Sequence, residues 1–145
     1  MEDFQINVIS HNSPEYEVEV ALRDLILRQP LGLTFSEDQL RAEADSCHIG
    51  CYIDGEMVGC LVLKPVEDGN VQMRQVAVAE SVQGKGVGKQ MVKYSETLAK
   101  KQGFLEMVLH ARETAVPFYE SLGYTKVGSR FIEVTLPHWA MAKVL

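Results

Sequence analysis

The spacing of hydrophobic and polar residues changes along the chain, and each change marks a predicted element. Short apolar stretches bounded by turn residues predict strands in "INVIS", "CHIGCYID", "GEMVGCLVLKP" and "VQMRQVAVA". A helical period instead runs through "SPEYEVEVALRDLILRQP" and through the shorter "SEDQLRAEAD". In the first of these helices, one apolar stripe is predicted to contain Val18, Leu22, Leu25 and Ile26. Asp54-Gly55 predicts the turn of a hairpin between the second and third strands.

The second half of the chain begins with a glycine-rich turn that leads into a long helix ending at Gly103. One face of this helix is predicted to carry Val87, Met91, Val92, Ser95, Leu98 and Ala99. "FLEMVLHA" predicts a fifth strand, "ETAVPFYESLG" a short helix, and "YTKVGS" and "EVTLPHWAMAKV" two final strands. Pro117 requires the short helix to begin near Glu113 or Thr114.

The predicted order of elements is β-α-α-β-β-β-α-β-α-β-β, with about seven strands and four helices. The strand–helix–strand unit in the middle requires a parallel pair, whereas the hairpins make the other pairs antiparallel. We therefore expect an α/β (α+β) fold with a mixed, largely antiparallel sheet. The length of 145 residues suits a single domain spanning 1–145.

Charge is distributed unevenly along the chain. The net charge is −6, which argues against nucleic-acid binding, but the stretch from Gln83 to Lys101 holds five lysines and one glutamate. This placement favours a small anionic ligand. No stretch is long and apolar enough for a membrane span, no secretory signal is recognised, and three cysteines do not predict a disulfide framework. We expect a cytoplasmic protein that binds neither nucleic acid nor membrane.

The glycine-rich turn "QGKGVGKQ" fits neither of two familiar phosphate-binding motifs. Only three residues separate Gly84 from Gly88, and Gln90 stands where a Walker loop needs a hydroxyl. Lys89 occupies the third glycine position of a dinucleotide fingerprint. A glycine loop before a helix N-terminus is nevertheless suited to phosphate or pyrophosphate, because the amides and the helix dipole both favour an anion. The alternative is an ordinary tight turn without a ligand.

Three linked motifs give the chain a family resemblance. Gln83 to Gly88 resembles the Q/R-x-x-G-x-G/A loop of the GNAT superfamily of acetyl-CoA-dependent N-acyltransferases, "QVAVAES" resembles the strand before it, and "AVPFYESLGY" resembles the later helix. The resemblance implies a splayed parallel pair formed by the fourth and fifth strands. It also implies that acetyl-CoA is the co-substrate and that this is a small single-domain enzyme of the bacterial type.

The resemblance also implies roles for individual residues. The pyrophosphate of acetyl-CoA is expected on Gln83, Gly84, Lys85, Gly86, Val87 and Gly88, with Lys89 adding charge, and the pantetheine arm beside Val76, Ala77 and Val78. Amide N–H groups of that strand would stabilise the oxyanion. Tyr119 is the expected acid that protonates the leaving thiolate, and its alternative is a hydrogen-bonded core tyrosine. Many relatives have Asn where this chain has Arg112, so no role is carried over to Arg112.

The general base is left open between Glu133, His138 and His110, with a water chain to a carboxylate as a further possibility. His138 and Glu133 are the expected acceptor contacts, and the alternative for His138 is a hydrogen-bonded structural histidine. No metal site is predicted from Cys47, His48 and Cys51. We expect acetyl transfer to a primary amine of a small molecule or peptide, and the acidic net charge favours a cationic one. The alternatives are an inactive CoA-binding regulatory module and an interaction domain without CoA. The resemblance suggests a homodimer.

Overall fold

The computed structural model describes residues 4–145, which contain seven strands and four α-helices. The elements are β1 (Gln5–Ile9), α1 (Pro14–Arg23), α2 (Glu37–Arg41), β2 (Cys47–Ile53), β3 (Glu56–Pro65), β4 (Asn70–Val78), α3 (Val87–Lys101), β5 (Glu106–Arg112), α4 (Val116–Ser121), β6 (Thr125–Glu133) and β7 (Leu136–Val144). The order is the one predicted from the pattern. Pro117 lies in the first turn of α4, where a missing backbone N–H is tolerated.

All seven strands form one sheet in the order β1-β2-β3-β4-β5-β7-β6. Only β4 and β5 are parallel; every other neighbouring pair is antiparallel. Asp54 and Gly55 form the two-residue turn between β2 and β3, and both have positive φ, as the predicted hairpin requires. The mixed, largely antiparallel sheet with one central parallel pair is thus confirmed.

Two apolar clusters lie on opposite faces of the sheet. The larger cluster lies under α3 and α4, and the smaller lies under α1. The predicted face of α3 is confirmed, with Leu98 partly buried and the other five residues buried. Gly59 of β3 allows α3 to approach closely, because a Cβ at this position would stand 2.9 Å from side-chain atoms of Val87 and Met91.

The apolar stripe predicted for α1 is wrong at two of its four positions. Val18 and Leu25 are 51% and 56% exposed, and the buried residues of the helix are Tyr16, Glu19 and Arg23. A hydrophobicity pattern cannot identify this face, because charged side chains that neutralise one another occupy it. After α1 the helix continues as a π-helical turn, Asp24–Arg28.

The buried charges form one hydrogen-bonded network beneath α1. Arg23 contacts Glu19 at 2.7 Å and Glu43 at 2.5 Å, and His48 Nδ1 lies 3.0 Å from the same Glu19 oxygen. The Tyr16 hydroxyl donates to Glu43 at 2.8 Å. Glu19, Glu43 and His48 are side chains of the kind that bind metals, but the guanidinium of Arg23 already supplies the cation between the two carboxylates. The network therefore joins α1 to the segment after α2 and to β2.

The predicted boundary between the last two strands is wrong. The final strand was expected to run from Glu133 without interruption, whereas Glu133 ends β6 and a turn at Val134 and Thr135 precedes β7. Both turn residues have positive φ, 44° and 66°. β-Branched residues rarely adopt this conformation, so the sequence carries no ordinary turn signal here.

Candidate active site

The parallel strands β4 and β5 separate part-way along their length. Their pairing extends from Asn70 opposite Glu106 to Met73 opposite Leu109 and then stops. Beyond this point the two strands form the walls of a cleft of about 680 Å³. Segments after α1, α4 with the turn before it, and the β6–β7 turn supply the remaining walls of the cleft.

A bulge in β4 coincides with the separation. Gln75 has a φ of +55°, and the register with β3 shifts at the same point. Met73 packs in the cluster under α3, and so do Val76 and Val78, while Ala77 packs in the cluster under α1. The bulge therefore reverses which residues face α3. Gln75 was not identified from the sequence, because nothing in "MRQVAV" indicates a left-handed residue within a strand.

The geometry of β4 directs backbone donors into the opening. The Ala79 amide donates to the Val58 carbonyl of β3 at 2.8 Å. Successive strand residues present their N–H groups to opposite edges of the strand. The amides of Val78 and Val76 therefore point toward the edge of β4 that no longer pairs with β5. The Val78 carbonyl on the same edge accepts a hydrogen bond from Gln83 Nε2 at 3.0 Å. This bond ties the glycine loop to the end of β4.

The glycine loop presents open backbone at the start of α3. Gly84 and Gly86 have φ of 80° and 86°, and no atom lies within 4 Å of the position of a Cβ on either residue. Gly86 is the N-cap of α3, and the first backbone bond of the turn runs from the Gln90 amide to the Gly86 carbonyl at 3.0 Å. The earlier amides of the helix are thus directed outward, as an anion site requires. The buried Val87 side chain leaves only its backbone for this role.

The glycine loop does not line the 680 Å³ cleft. Two other predicted site residues, Ala77 and Val78, connect the loop to the cleft. Val76 and Tyr119 lie on the wall of the cleft, as do Glu133 and His138. Gln83 to Lys89 follow β4 after one short 3-10 turn, Glu80–Val82, and lie beyond the end of the cleft. Ala77 and Val78 continue β4 between the cleft and the loop.

Tyr119 projects from α4 and is almost completely buried. Its ring contacts Phe118 and Tyr124 edge-on, at centroid distances of 5.0 and 5.8 Å. Burial raises the pKa of its phenol to about 12. The hydroxyl makes no hydrogen bond to any protein group within residues 4–145, and the side chain lines the cleft. Tyr124 differs, because its hydroxyl donates to Glu96 at 2.8 Å.

The three candidate bases lie together at the opposite wall. Glu133 Oε1 is 3.0 Å from His110 Nδ1, and Glu133 Oε2 is 3.7 Å from His138 Nε2. His138 Nδ1 donates to the Leu136 carbonyl at 2.9 Å, which orients the buried ring. Phe131 packs against both imidazoles, 5.1 Å from His110 and 5.9 Å from His138. Because His110, Glu133 and His138 come from three different strands, the sequence could not show that they meet.

Three arginines also line the cleft, and two of them were not singled out from the sequence. Arg28 comes from the π-helical turn, Arg74 from β4 and Arg112 from the end of β5. Arg112 Nη2 donates to the Leu27 carbonyl at 3.2 Å, so this side chain points toward the segment after α1. Helix and strand periodicity could not indicate that these residues share one cavity.

Comparison of the sequence with models of protein families identifies one family. A sequence model of the acetyltransferase (GNAT) family matches residues 9–124. The chain belongs to the GNAT family. The resemblance seen in the three sequence motifs is thereby confirmed.

Individual proteins and solved structures are similar to the chain. "N-acetyltransferase family 8 member 3" of Rattus norvegicus is 32% identical over an alignment of 98 residues. The match covers 59% of this chain and only 43% of the rat protein. The crystal structure of Escherichia coli ElaA is 26% identical, with a TM-score of 0.78 and coverage of 99% of both chains. A GNAT acetyltransferase from Elizabethkingia anophelis, solved with acetyl-CoA bound, shares the fold at 18% identity, a TM-score of 0.76 and coverage of 98% of each chain. Within residues 4–145, no helix has the length and apolar character needed to cross a membrane.

Proposed function

We propose that this GNAT protein transfers the acetyl group of acetyl-CoA to an amine by direct attack within a ternary complex. The observation that carries the proposal is the cleft itself. Tyr119 and Val76 lie on the walls of the same cavity as Glu133 and His138. Groups suited to the thioester and groups suited to the amine therefore meet without a covalent enzyme intermediate being needed.

The chain offers a continuous track for acetyl-CoA. The outward amides at Gly86 to Gly88 and the dipole of α3 suit the pyrophosphate. The outward edge of β4 at Val78 and Val76 can pair with the pantetheine amides as an added strand would. The thioester supplies an activated acyl group, and the Val76 N–H is the proposed hydrogen-bond donor to its carbonyl oxygen as negative charge develops.

Tyr119 is the proposed proton donor to the departing sulfur. With a pKa near 12, its phenol stays protonated across the physiological range. A thiolate whose thiol has an ordinary pKa near 8.5 is a weaker base than the Tyr119 phenolate, but the same dry environment also raises the pKa of the leaving thiol and makes its thiolate more basic. The unpaired hydroxyl therefore donates a hydrogen bond to the sulfur and passes its proton as the carbon–sulfur bond breaks.

Glu133 is the proposed proton acceptor for the attacking amine. Its carboxylate is 44% exposed toward the cleft, and His110 at 3.0 Å holds one of its oxygens in place. The other oxygen is too far from His138 Nε2 for a direct hydrogen bond, at 3.7 Å, which leaves it accessible to an ammonium or a bridging water. His138 then serves as an acceptor contact oriented by Leu136.

Initial-rate kinetics test the proposal. Purified protein is mixed with acetyl-CoA and a panel of amines, and free thiol and acetylated product are both quantified. Direct attack predicts that double-reciprocal lines for varied acetyl-CoA and amine intersect. Parallel lines with an isolable acetyl-enzyme would contradict direct attack. Acetyl-CoA binding without turnover of any amine would instead support a CoA-binding regulatory module.

A further inference from the structure

Half of the arginines in the chain converge on the cleft. Of the six, Arg28, Arg74 and Arg112 line it, each from a different element. Burial lowers the pKa of Arg28, and the positive charges of Arg23, Arg112 and Arg74 lower it further. Like charges that line one cavity repel one another, so the fold holds these three arginines together at a cost in free energy.

The three cleft arginines lack the carboxylate partners that the other three have. Arg23, Arg41 and Arg130 each form an ion pair with a glutamate or aspartate. Within residues 4–145, none of the three cleft arginines forms an ion pair with a carboxylate. The Arg28 guanidinium packs over the Phe35 ring at 4.4 Å, and that of Arg112 donates to the Leu27 carbonyl. Arg74 is exposed.

This positive region is distinct from the glycine loop. Met73 packs under α3, so the neighbouring Arg74 projects from the opposite face of the sheet, the face that α1 covers. Arg112 reaches toward the same side through Leu27. The glycine loop precedes α3, on the other face. Phosphates bound at the loop would therefore leave the three arginines available to the second substrate.

We infer that the acceptor carries an anionic group, a carboxylate or a phosphate, that Arg28, Arg74 and Arg112 bind while its amine faces Glu133. This inference rests on the proposed function and specifies its acceptor class. Guanidinium groups match both oxyanions, because each can donate two parallel hydrogen bonds. The net charge of −6 favours a cationic acceptor. The positive charge of the arginines on the cleft wall acts on a bound acceptor at shorter range, so it favours an acceptor that carries both an amine and an anionic group.

The first test measures anion binding without turnover. Protein saturated with CoA is titrated with acetate and, separately, with methylphosphonate, and arginine Nε–H resonances are followed by NMR. Saturable shifts are expected at Arg28, Arg74 and Arg112, with Arg41 as the unmoved reference. The anion with the tighter titration identifies the preferred group. Absence of a saturable shift at all three arginines for both anions would overturn the inference.

The second test compares matched acceptors. Each L-amino acid is assayed beside its amide and its aminophosphonate counterpart, with acetyl-CoA saturating. The acid or the phosphonate is expected to have the higher kcat/KM. Arg74→Gln is expected to lower that value about 10- to 100-fold and to lower the value for the amide far less. Arg41→Gln removes the same charge from an exposed pair with Asp38 and is expected to change neither value.

Two outcomes separate the inference from the proposed function. Amides used as well as acids and phosphonates would overturn the inference while leaving acetyl transfer intact. In a separate calorimetric titration, failure to bind acetyl-CoA would refute the proposed function, and the anion titration, repeated on the protein without CoA, would still show the arginine shifts if the inference holds. If no compound of the panel is acetylated, the anion titration decides the inference.

Discussion

Tyr119→Phe removes one oxygen from the cleft and leaves the surrounding packing in place. The phenylalanine ring keeps the edge-on contacts with Phe118 and Tyr124. Because the hydroxyl makes no hydrogen bond to protein, its loss leaves no buried partner unsatisfied. The melting temperature is therefore expected to stay the same or rise slightly.

The effect on turnover is expected to be large. Loss of a positioned general acid typically lowers the rate about 10²- to 10⁴-fold, which corresponds to roughly 3–5 kcal/mol in the barrier. The dissociation constant of acetyl-CoA should not change, because Tyr119 lies outside the glycine loop. Thiol release under saturating acetyl-CoA, calorimetric titration and thermal denaturation measure the three quantities separately.

Tyr124→Phe is the matched control. The same oxygen is removed from a neighbouring buried ring, but here the hydroxyl donates to Glu96 at 2.8 Å. Its loss is expected to destabilise the fold by about 1.5–3 kcal/mol, with turnover nearly unchanged. The two variants should thus have opposite effects on rate and stability. A Tyr119→Phe protein that retains most of its turnover would refute the role of Tyr119 as the acid.

The remaining predictions concern the loop and the buried network. Gly86→Ala and Gly103→Ala each place a Cβ on a residue with positive φ, 86° and 90°, at opposite ends of α3. Both variants should lose about 1–2 kcal/mol of stability. Calorimetric titration should show weaker acetyl-CoA binding only for Gly86→Ala. Arg23→Leu leaves buried carboxylates unpaired and should cost about 3–5 kcal/mol in denaturant unfolding, whereas Arg41→Leu should cost less than about 1 kcal/mol. Burial lowers the pKa of His48, but hydrogen bonds to Glu19 and to the Glu43 carbonyl outweigh burial and raise this pKa. The stability that protonated His48 gives the fold is therefore complete below pH 6.5 and is lost as the pH rises through the raised pKa. His48→Gln should abolish that loss of stability in melting curves recorded across this pH range; an unchanged slope would contradict the assignment.

The features that sequence could predict depend on neighbouring residues. The glycine loop and the buried face of α3 follow from spacing within one segment, and both agree with the structure. The hairpin at Asp54-Gly55 likewise follows from two adjacent residues. The parallel pair follows from a single strand–helix–strand connection, because such a crossover constrains strand direction.

The features that sequence could not predict depend on register or on distant partners. The bulge at Gln75 shifts which β4 residues face α3, yet Gln75 is not a residue type that signals positive φ. The buried face of α1 is polar because Arg23 meets Glu43, twenty residues later. Glu133 could be named as a candidate, but its position between His110 and His138 depends on the pairing of β5, β6 and β7. The convergence of three arginines has the same tertiary origin.

The most direct measurement is calorimetric titration of the protein with acetyl-CoA, run beside ATP and NAD under identical conditions. The outward amides of the glycine loop and the open edge of β4 together predict binding of acetyl-CoA in the micromolar range, with much weaker binding of ATP and NAD, which lack the pantetheine arm. No detectable binding of acetyl-CoA, or equal affinity for all three, would mean that the loop is a turn or a general anion site. The proposed acetyl transfer would then be contradicted.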